Sequence, residues 1–375
     1  MTLGPLDAVA AVSVAAWLFL LLFRGRFWAF REEAAPPLTG SAPSVCAVVP
    51  ARNEAEGVGQ AIASLATQNY PGDFRIVLVD DNSDDGTAEI AREAAGASGR
   101  LTVLPGRPLA EGWSGKLWAV SQGVDAAPGC DYLLFTDADI VHTQESLAGL
   151  VARAKSGYDL VSYMATLRCE SAAEKLLIPA FVFFFFLLYP PAWIRDPRRA
   201  MAGAAGGCIL VRREALARAG GIARIRGELI DDCALARAVK SSGGRVWLGL
   251  SGTAASIREY RNLGSVGAMI SRTAFNQLGY SALLLAGTIA GLGLIFLAPV
   301  ALAFRGSFVA ISAWALLSIA YAPAVRFYRL GVWRAPLLPA AAAIYMWYTL
   351  VSAFQYWRGE GGRWKGRSVR PRAAK

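Results

Sequence analysis

Asp137 and Asp139 stand two residues apart, directly after the apolar run Leu133-Leu134-Phe135-Thr136. Two carboxylates so spaced at the end of a buried strand can share a hard divalent cation. Oxygen-only ligands suit Mg2+ or Mn2+, which also hold diphosphate oxygens. Such a cation neutralises a departing diphosphate. A D-x-D pair recurs by chance, and its weight here comes from its place after a predicted strand and behind a second acidic motif.

That motif is Asp80-Asp81-Asn82-Ser83-Asp84-Asp85-Gly86-Thr87. Asp80, the first residue past an apolar run, is suited to accept hydrogen bonds from a base N–H or ribose hydroxyls. Asp84, Asp85 and Thr87 fit the plainer role of turn and N-cap. Gly112-Trp113-Ser114-Gly115-Lys116 leads into a helical stretch. Lys116 is a candidate partner for diphosphate, and a solvated lysine after a loop is the alternative. Asp231 and Asp232 open a further helix. They are either an N-cap pair favoured by the helix dipole or the source of a general base for an acceptor hydroxyl. Adjacent acids are expected to point apart, so that one serves as base, with mutual repulsion raising a pKa.

These residues need strands that end on one side. Residues 45–49, 76–79, 101–104 and 132–136 read as strands, and 55–68, 87–95 and 116–126 as the helices between them. Such alternation predicts an α/β domain with a mostly parallel sheet and helices on both faces. Ligands bind beyond the carboxyl ends of such strands. The turn after the first strand, Pro50-Ala51-Arg52-Asn53-Glu54, has no glycines, which excludes a dinucleotide-type grip.

The 375-residue chain is 55% hydrophobic and only 18% charged, which points to a bilayer. Its net charge of +10 clusters beside apolar runs, favouring an anionic membrane face over nucleic acid. Residues 1–31 read as an uncleaved membrane anchor and 36–43 as a linker. Residues 44–260 read as the catalytic domain, 261–280 as an interfacial linker, and 358–375 as a basic tail. Within 281–357, the stretches 282–304, 308–325 and 336–356 are each long enough to cross a hydrocarbon core of ~30 Å. Three crossings from an inside domain would put the basic tail outside, against the positive-inside tendency. The phenylalanine-rich segment 176–194 reads as an interfacial helix or the apolar wall of an acceptor groove. As a crossing helix it would separate Asp137 and Asp139 from Asp231 and Asp232. Five cysteines without a CxxC and a single histidine, His142, argue for reduced thiols and against zinc.

From about residue 45 to 250 the chain resembles a family 2 glycosyltransferase domain of the GT-A fold. The carrying residues are 50–54, Asp80-Asp81-Asn82-Ser83, Lys116, Asp137-Ala138-Asp139, Gly206-Gly207-Cys208 and Asp231-Asp232. More narrowly it resembles the hopanoid-biosynthesis-associated glycosyltransferases called HpnB, in which C-terminal membrane segments follow the domain. The resemblance implies an inverting transfer from a nucleotide sugar, a UDP-sugar by preference. It implies donor binding by Pro50, Arg52, Glu54, Asp80, Lys116, Asp137 and Asp139, with ribose and a divalent metal (Mg2+ or Mn2+) on Asp137 and Asp139. Asp232 matches the second acid of the family's ED pair and would be the base. The first acid is Asp231 instead of Glu. Gly206 and Gly207 would lie beneath the acceptor. The QxxRW of processive synthases is replaced by Met269-Ile270-Ser271-Arg272-Thr273, which favours a single transfer and leaves Arg272 as a candidate diphosphate contact.

The expectation is a multi-pass protein of the cell inner membrane with a cytoplasmic catalytic domain. It would move sugar to a lipid hydroxyl, with a hopanoid as the suggested acceptor. Transfer to polyprenyl phosphate and a catalytically inactive membrane scaffold are the alternatives.

Overall fold

A computed structural model describes residues 5–361, 363–364 and 367–368. Of the expected basic tail, residues 362, 365–366 and 369–375 lie outside the described residues, as do residues 1–4 of the expected anchor. The chain divides into a sheet unit (Glu32–Arg168, Trp193–Arg258, Arg363–Lys375) and a helical unit (Met1–Arg31, Cys169–Ala192, Glu259–Gly362).

The sheet unit is built on eight strands: β1 (Val45–Ala51), β2 (Phe74–Asp80), β3 (Leu101–Pro105), β4 (Tyr132–Thr136), β5 (Ile140–His142), β6 (Leu160–Thr166), β7 (Cys208–Arg212) and β8 (Val246–Ser256). Their order is β3-β2-β1-β4-β7-β6-β8-β5. The expected β1 to β4 pair in parallel, with Ala51 opposite Asp80 and Val48 opposite Phe135. Pro50 and Asp137 each follow the Val48–Phe135 pair by two residues, so register alone brings these strand ends to one edge. Every residue of β1 and β4 is buried, as expected for central strands covered on both faces.

The later strands depart from the parallel pattern. β7 runs antiparallel to both β4 and β6, and β5 pairs antiparallel with β8. The helix after β1 is shorter than expected, Val58–Ala66, because the chain first turns at Glu54–Gly57, where Gly57 N–H bonds Glu54 O at 3.0 Å. The helix Gly115–Asp125 presses on β1 through Gly123, where any Cβ would sit 2.3 Å from a Val48 methyl.

The helical unit holds Pro5–Phe23, Ala172–Leu188, Leu263–Gln277, Phe308–Phe327 and Leu338–Trp357. The stretch expected as one span over 282–304 is two helices, Ala282–Leu292 and Ala298–Ala303, joined by a π-type turn at Gly293–Leu297. Pro299 has no N–H, so Ile295 O loses its helical donor. Trp17 Nε1 fills that place at 2.7 Å, and Ser13 Oγ bonds Leu294 O at 2.7 Å. In a hydrocarbon setting each such carbonyl must find a partner inside the protein.

Among the described residues, four helices are long and apolar enough to cross a membrane: Ala172–Arg195, Ala282–Ala303, Phe308–Phe327 and Val332–Trp357. The expected interfacial linker is the helix Leu263–Gln277. The phenylalanine-rich segment, expected as an interfacial helix or an acceptor-groove wall, is part of the helix Ala172–Leu188. Phe183 and Phe186 are buried in the helical unit, and Phe183 packs edge-on against Phe27 and Tyr321.

Candidate active site

The loops after β1 and β2 are stitched to each other. Asn53 and Asn82 both adopt positive φ (51° and 55°), a left-handed turn that Asn tolerates. Asn53 N–H donates to Ser83 Oγ at 2.9 Å, and Asp84 N–H donates to Asn53 Oδ1 at 3.1 Å. Glu54 N–H donates to Thr87 Oγ1 and Ala55 N–H to Asp85 Oδ2. Asp80 accepts from the backbone and hydroxyl of Ser83, so its carboxylate also shapes the turn. Arg52 donates to the Asp81 carbonyl at 2.5 Å.

After β4, Asp137 and Asp139 face different partners. Asp137 Oδ1 lies 2.9 Å from Lys116 Nζ, which also stands 3.2 Å from Asp231 Oδ2. Lys116, a candidate partner for diphosphate, is held by these two carboxylates. Burial raises the Asp137 carboxyl and opposes the charge on Lys116. Asp137 and Asp231 outweigh that opposition, so the ammonium ends above its ordinary value.

The helix Asp231–Ser241 opens on both acids. Both line one pocket with Pro50, Lys116, Asp137 and Gly206, and each holds a different partner there, Lys116 for Asp231 and Gly206 for Asp232. Asp232 Oδ2 accepts Gly206 N–H at 2.8 Å, and Oδ1 accepts Cys233 N–H at 2.7 Å. Burial is the main cause that pushes the Asp232 carboxyl up, to about 6. Repulsion from Asp231 adds to it, and the two N–H groups and Lys116 oppose it.

The Gly206-Gly207 loop is held from several sides. Thr136 Oγ1 donates to Gly207 O at 2.9 Å and contacts His142 Nε2 at 3.0 Å. Ala205 N–H donates to Ser162 Oγ. The approach to the loop is tied down by Lys240, whose Nζ reaches the carbonyls of Ile194 (2.6 Å), Asp196 (3.0 Å) and Met201 (2.8 Å). His142 is buried, and its pKa falls to about 4, so it is neutral at pH 7.

A residue not singled out in the sequence joins Asp139 to Glu54. Arg258 Nε lies 2.6 Å from Asp139 Oδ2, and an η-nitrogen lies 3.0 Å from each oxygen of Glu54. Its signal was an arginine just past a strand-like run, but the glycines in β8 (Gly249, Gly252) mask that run. Glu54, Asp80 and Asp139 are not among the residues lining the pocket of Asp231 and Asp232. Asp137 and Asp139 join the two regions through one turn. Arg272 is exposed on the helix Leu263–Gln277 of the helical unit.

Among the described residues no three His, Cys, Asp or Glu side chains converge on a metal position. Asp137 and Asp139 are nonetheless an oxygen-only pair, which fits a hard cation whose shell is completed by donor oxygens and water. On Asp139 such an ion meets competition from Arg258.

Residues 46–220 match the Glycosyl transferase family 2 family. Glycosyltransferase AglE of Haloferax volcanii is 31% identical over 126 residues, 33% of this chain and 40% of that protein. The undecaprenyl-phosphate 4-deoxy-4-formamido-L-arabinose transferase of Aeromonas hydrophila is 31% identical over 133 residues, 35% of this chain and 40% of that protein. The chain thus spans about 40% of the length of these curated relatives. The solved mannosyltransferase PcManGT of Pyrobaculum calidifontis, in complex with GDP-Man and Mn2+, superposes with a TM-score of 0.60. It is 21% identical, over 93% of this chain and 99% of that one, a likeness of fold. Residues 46–220 are therefore similar to a family 2 glycosyltransferase domain, and the fold is GT-A-like α/β.

Proposed function

We propose that the protein is a membrane-bound inverting glycosyltransferase that moves a sugar from a nucleotide-sugar donor, a UDP-sugar by preference, to a lipid acceptor. The observation that carries this reading is Asp232. It is a carboxylate raised to about 6, fixed by two backbone N–H groups, in a pocket shared with Asp137 and Lys116. A base that is charged at pH 7 yet only weakly solvated suits proton removal from a hydroxyl.

Asp232 takes the acceptor proton as the hydroxyl oxygen attacks the anomeric carbon from the face opposite the diphosphate. The bond to the diphosphate breaks, and the configuration inverts. Lys116 is placed to pass from Asp137 and Asp231 to donor phosphate. Pro50, Arg52, Glu54 and Asp80 border the nucleoside, and Gly206 and Gly207 leave room for the acceptor. A divalent cation held by Asp137 and Asp139 supplies charge neutralisation of the diphosphate when bound. Positioning and preorganised charge are the main sources of rate.

Asp137 and Asp231 line one pocket, although the chain passes through Ala172–Leu188 between them. We therefore infer that this helix does not cross the bilayer, and that Ala282–Ala303, Phe308–Phe327 and Val332–Trp357 are the C-terminal spans beside the N-terminal anchor, with the sheet unit cytoplasmic at the cell inner membrane. A lipid hydroxyl is the acceptor that a base requires, and a hopanoid is the one the family resemblance suggests. The name of the Aeromonas relative favours a second acceptor, undecaprenyl phosphate, which is already an anion. Asp232→Asn separates the two. A hydroxyl acceptor predicts collapse of transfer with donor binding kept, whereas near-normal turnover removes the base and favours the phosphate. Retention of donor hydrolysis and transfer by a folded Asp139→Ala variant would exclude the donor-site reading.

A further inference from the structure

Arg258 lies beyond the region that matches the glycosyltransferase family, which ends at residue 220. Its place is nevertheless built into the sheet. Ile140 pairs with Ser256 between β5 and β8, and Ile257 N–H bonds Asp139 O at 3.0 Å. The arginine therefore enters beside Asp139 in a fixed register. Its guanidinium joins carboxylates from two loops, Asp139 after β4 and Glu54 after β1, whose side chains are only 13% and 15% exposed. Two poorly solvated carboxylates around one point repel unless a cation stands between them.

We propose that Arg258 is a built-in counter-ion of the donor site, which occupies Asp139 until donor and divalent cation arrive together. This inference rests on the donor-site reading above. A metal ion on Asp139 would share the carboxylate with Arg258, whose Nε stands 2.6 Å from Oδ2, so metal alone binds against a resident charge. A diphosphate changes the balance. It offers the displaced guanidinium a planar, bidentate match, the geometry in which arginine binds phosphate best. Metal and nucleotide then strengthen each other through one side chain, and the enhancement is reciprocal. Glu54 accepts from the neighbouring η-nitrogen on the same edge of the guanidinium, so that anchor can stay while Asp139 is released.

The test is an electron paramagnetic resonance titration of free Mn2+ with the full chain in detergent, with and without UDP, and with GDP in parallel. Without nucleotide, Arg258→Gln is expected to bind Mn2+ about tenfold tighter than wild type, in the range usual for site coupling. Nucleotide should then tighten Mn2+ binding by the wild type and much less by the variant. Equal or weaker Mn2+ binding by a folded Arg258→Gln overturns the inference. Should that variant not fold, Arg258→Lys, which keeps the charge but loses the fork, is expected to bind Mn2+ as wild type does without nucleotide and to gain less from UDP or GDP; an undiminished gain overturns the inference. Equal Mn2+ binding by wild type and Asp139→Asn removes the metal from Asp139 and sinks this inference while leaving sugar transfer standing. No Mn2+ binding by wild type with either nucleotide overturns the metal-dependent donor-site reading and this inference with it.

Discussion

Gly206 donates its backbone N–H to Oδ2 of Asp232 across 2.8 Å, joining a loop before β7 to the first turn of a helix 26 residues later. The bond fixes where the carboxylate points, and no side chain at Gly206 stands in the way. A Cβ there would lie 3.3 Å from Asp232 Oδ2 and 3.6 Å from Lys116 Nζ. Gly206→Ala is therefore expected to lower kcat by about tenfold or more, since small displacements of reacting groups are costly. Thermal denaturation should move little, and a kcat equal to wild type would show that the loop has slack.

Replacing the base removes a proton-transfer path. Asp232→Asn is expected to cut kcat by roughly 10²–10⁴ with a hydroxyl acceptor. KM for the donor should change far less. Steady-state kinetics with the donor varied separate the two.

The pH profile follows from the direction of the Asp232 shift. The working form is the carboxylate, and burial raises its pKa to about 6. Activity is therefore full above that value and falls as pH drops through it, about tenfold per unit well below it. The acid limb of kcat/KM should sit near pH 6, well above the range of an ordinary aspartate. A limb near pH 4 would remove Asp232 from the role.

Lys116 separates Asp137 from Asp231. Lys116→Met should leave two neighbouring carboxylates without their shared cation. The expected cost in folding stability is roughly 1–3 kcal/mol. Chemical denaturation measures it, and Lys116→Arg should recover part of it.

Much of the sheet's first half was legible because its strands are continuous apolar runs ending in acids, as in 132–139. The helix Thr87–Ala95 falls on its expected residues, since Gly86 marks its start and Gly96 its end. The antiparallel β7 and the β5–β8 pair were not legible. Their partners lie far off in the chain, and β5 is only three residues long. The candidate acids were found by motif, but their partners were not. Nothing in the spacing places Lys116 between Asp137 and Asp231, or Arg258 between Glu54 and Asp139. Those are long-range contacts set by strand register. What covers the phenylalanines at 183 and 186 was not legible, because an apolar face looks the same whether lipid or another helix covers it.

The central claim is that a sugar passes from a nucleotide donor to a lipid at this site. Its most direct measurement is incubation of membranes containing the protein with a panel of labelled nucleotide sugars, followed by lipid extraction. Label is expected in a lipid fraction from one donor of the panel, absent with Asp139→Ala and sharply reduced with Asp232→Asn. Label in no lipid fraction, or equal labelling by wild type and both variants, would contradict it.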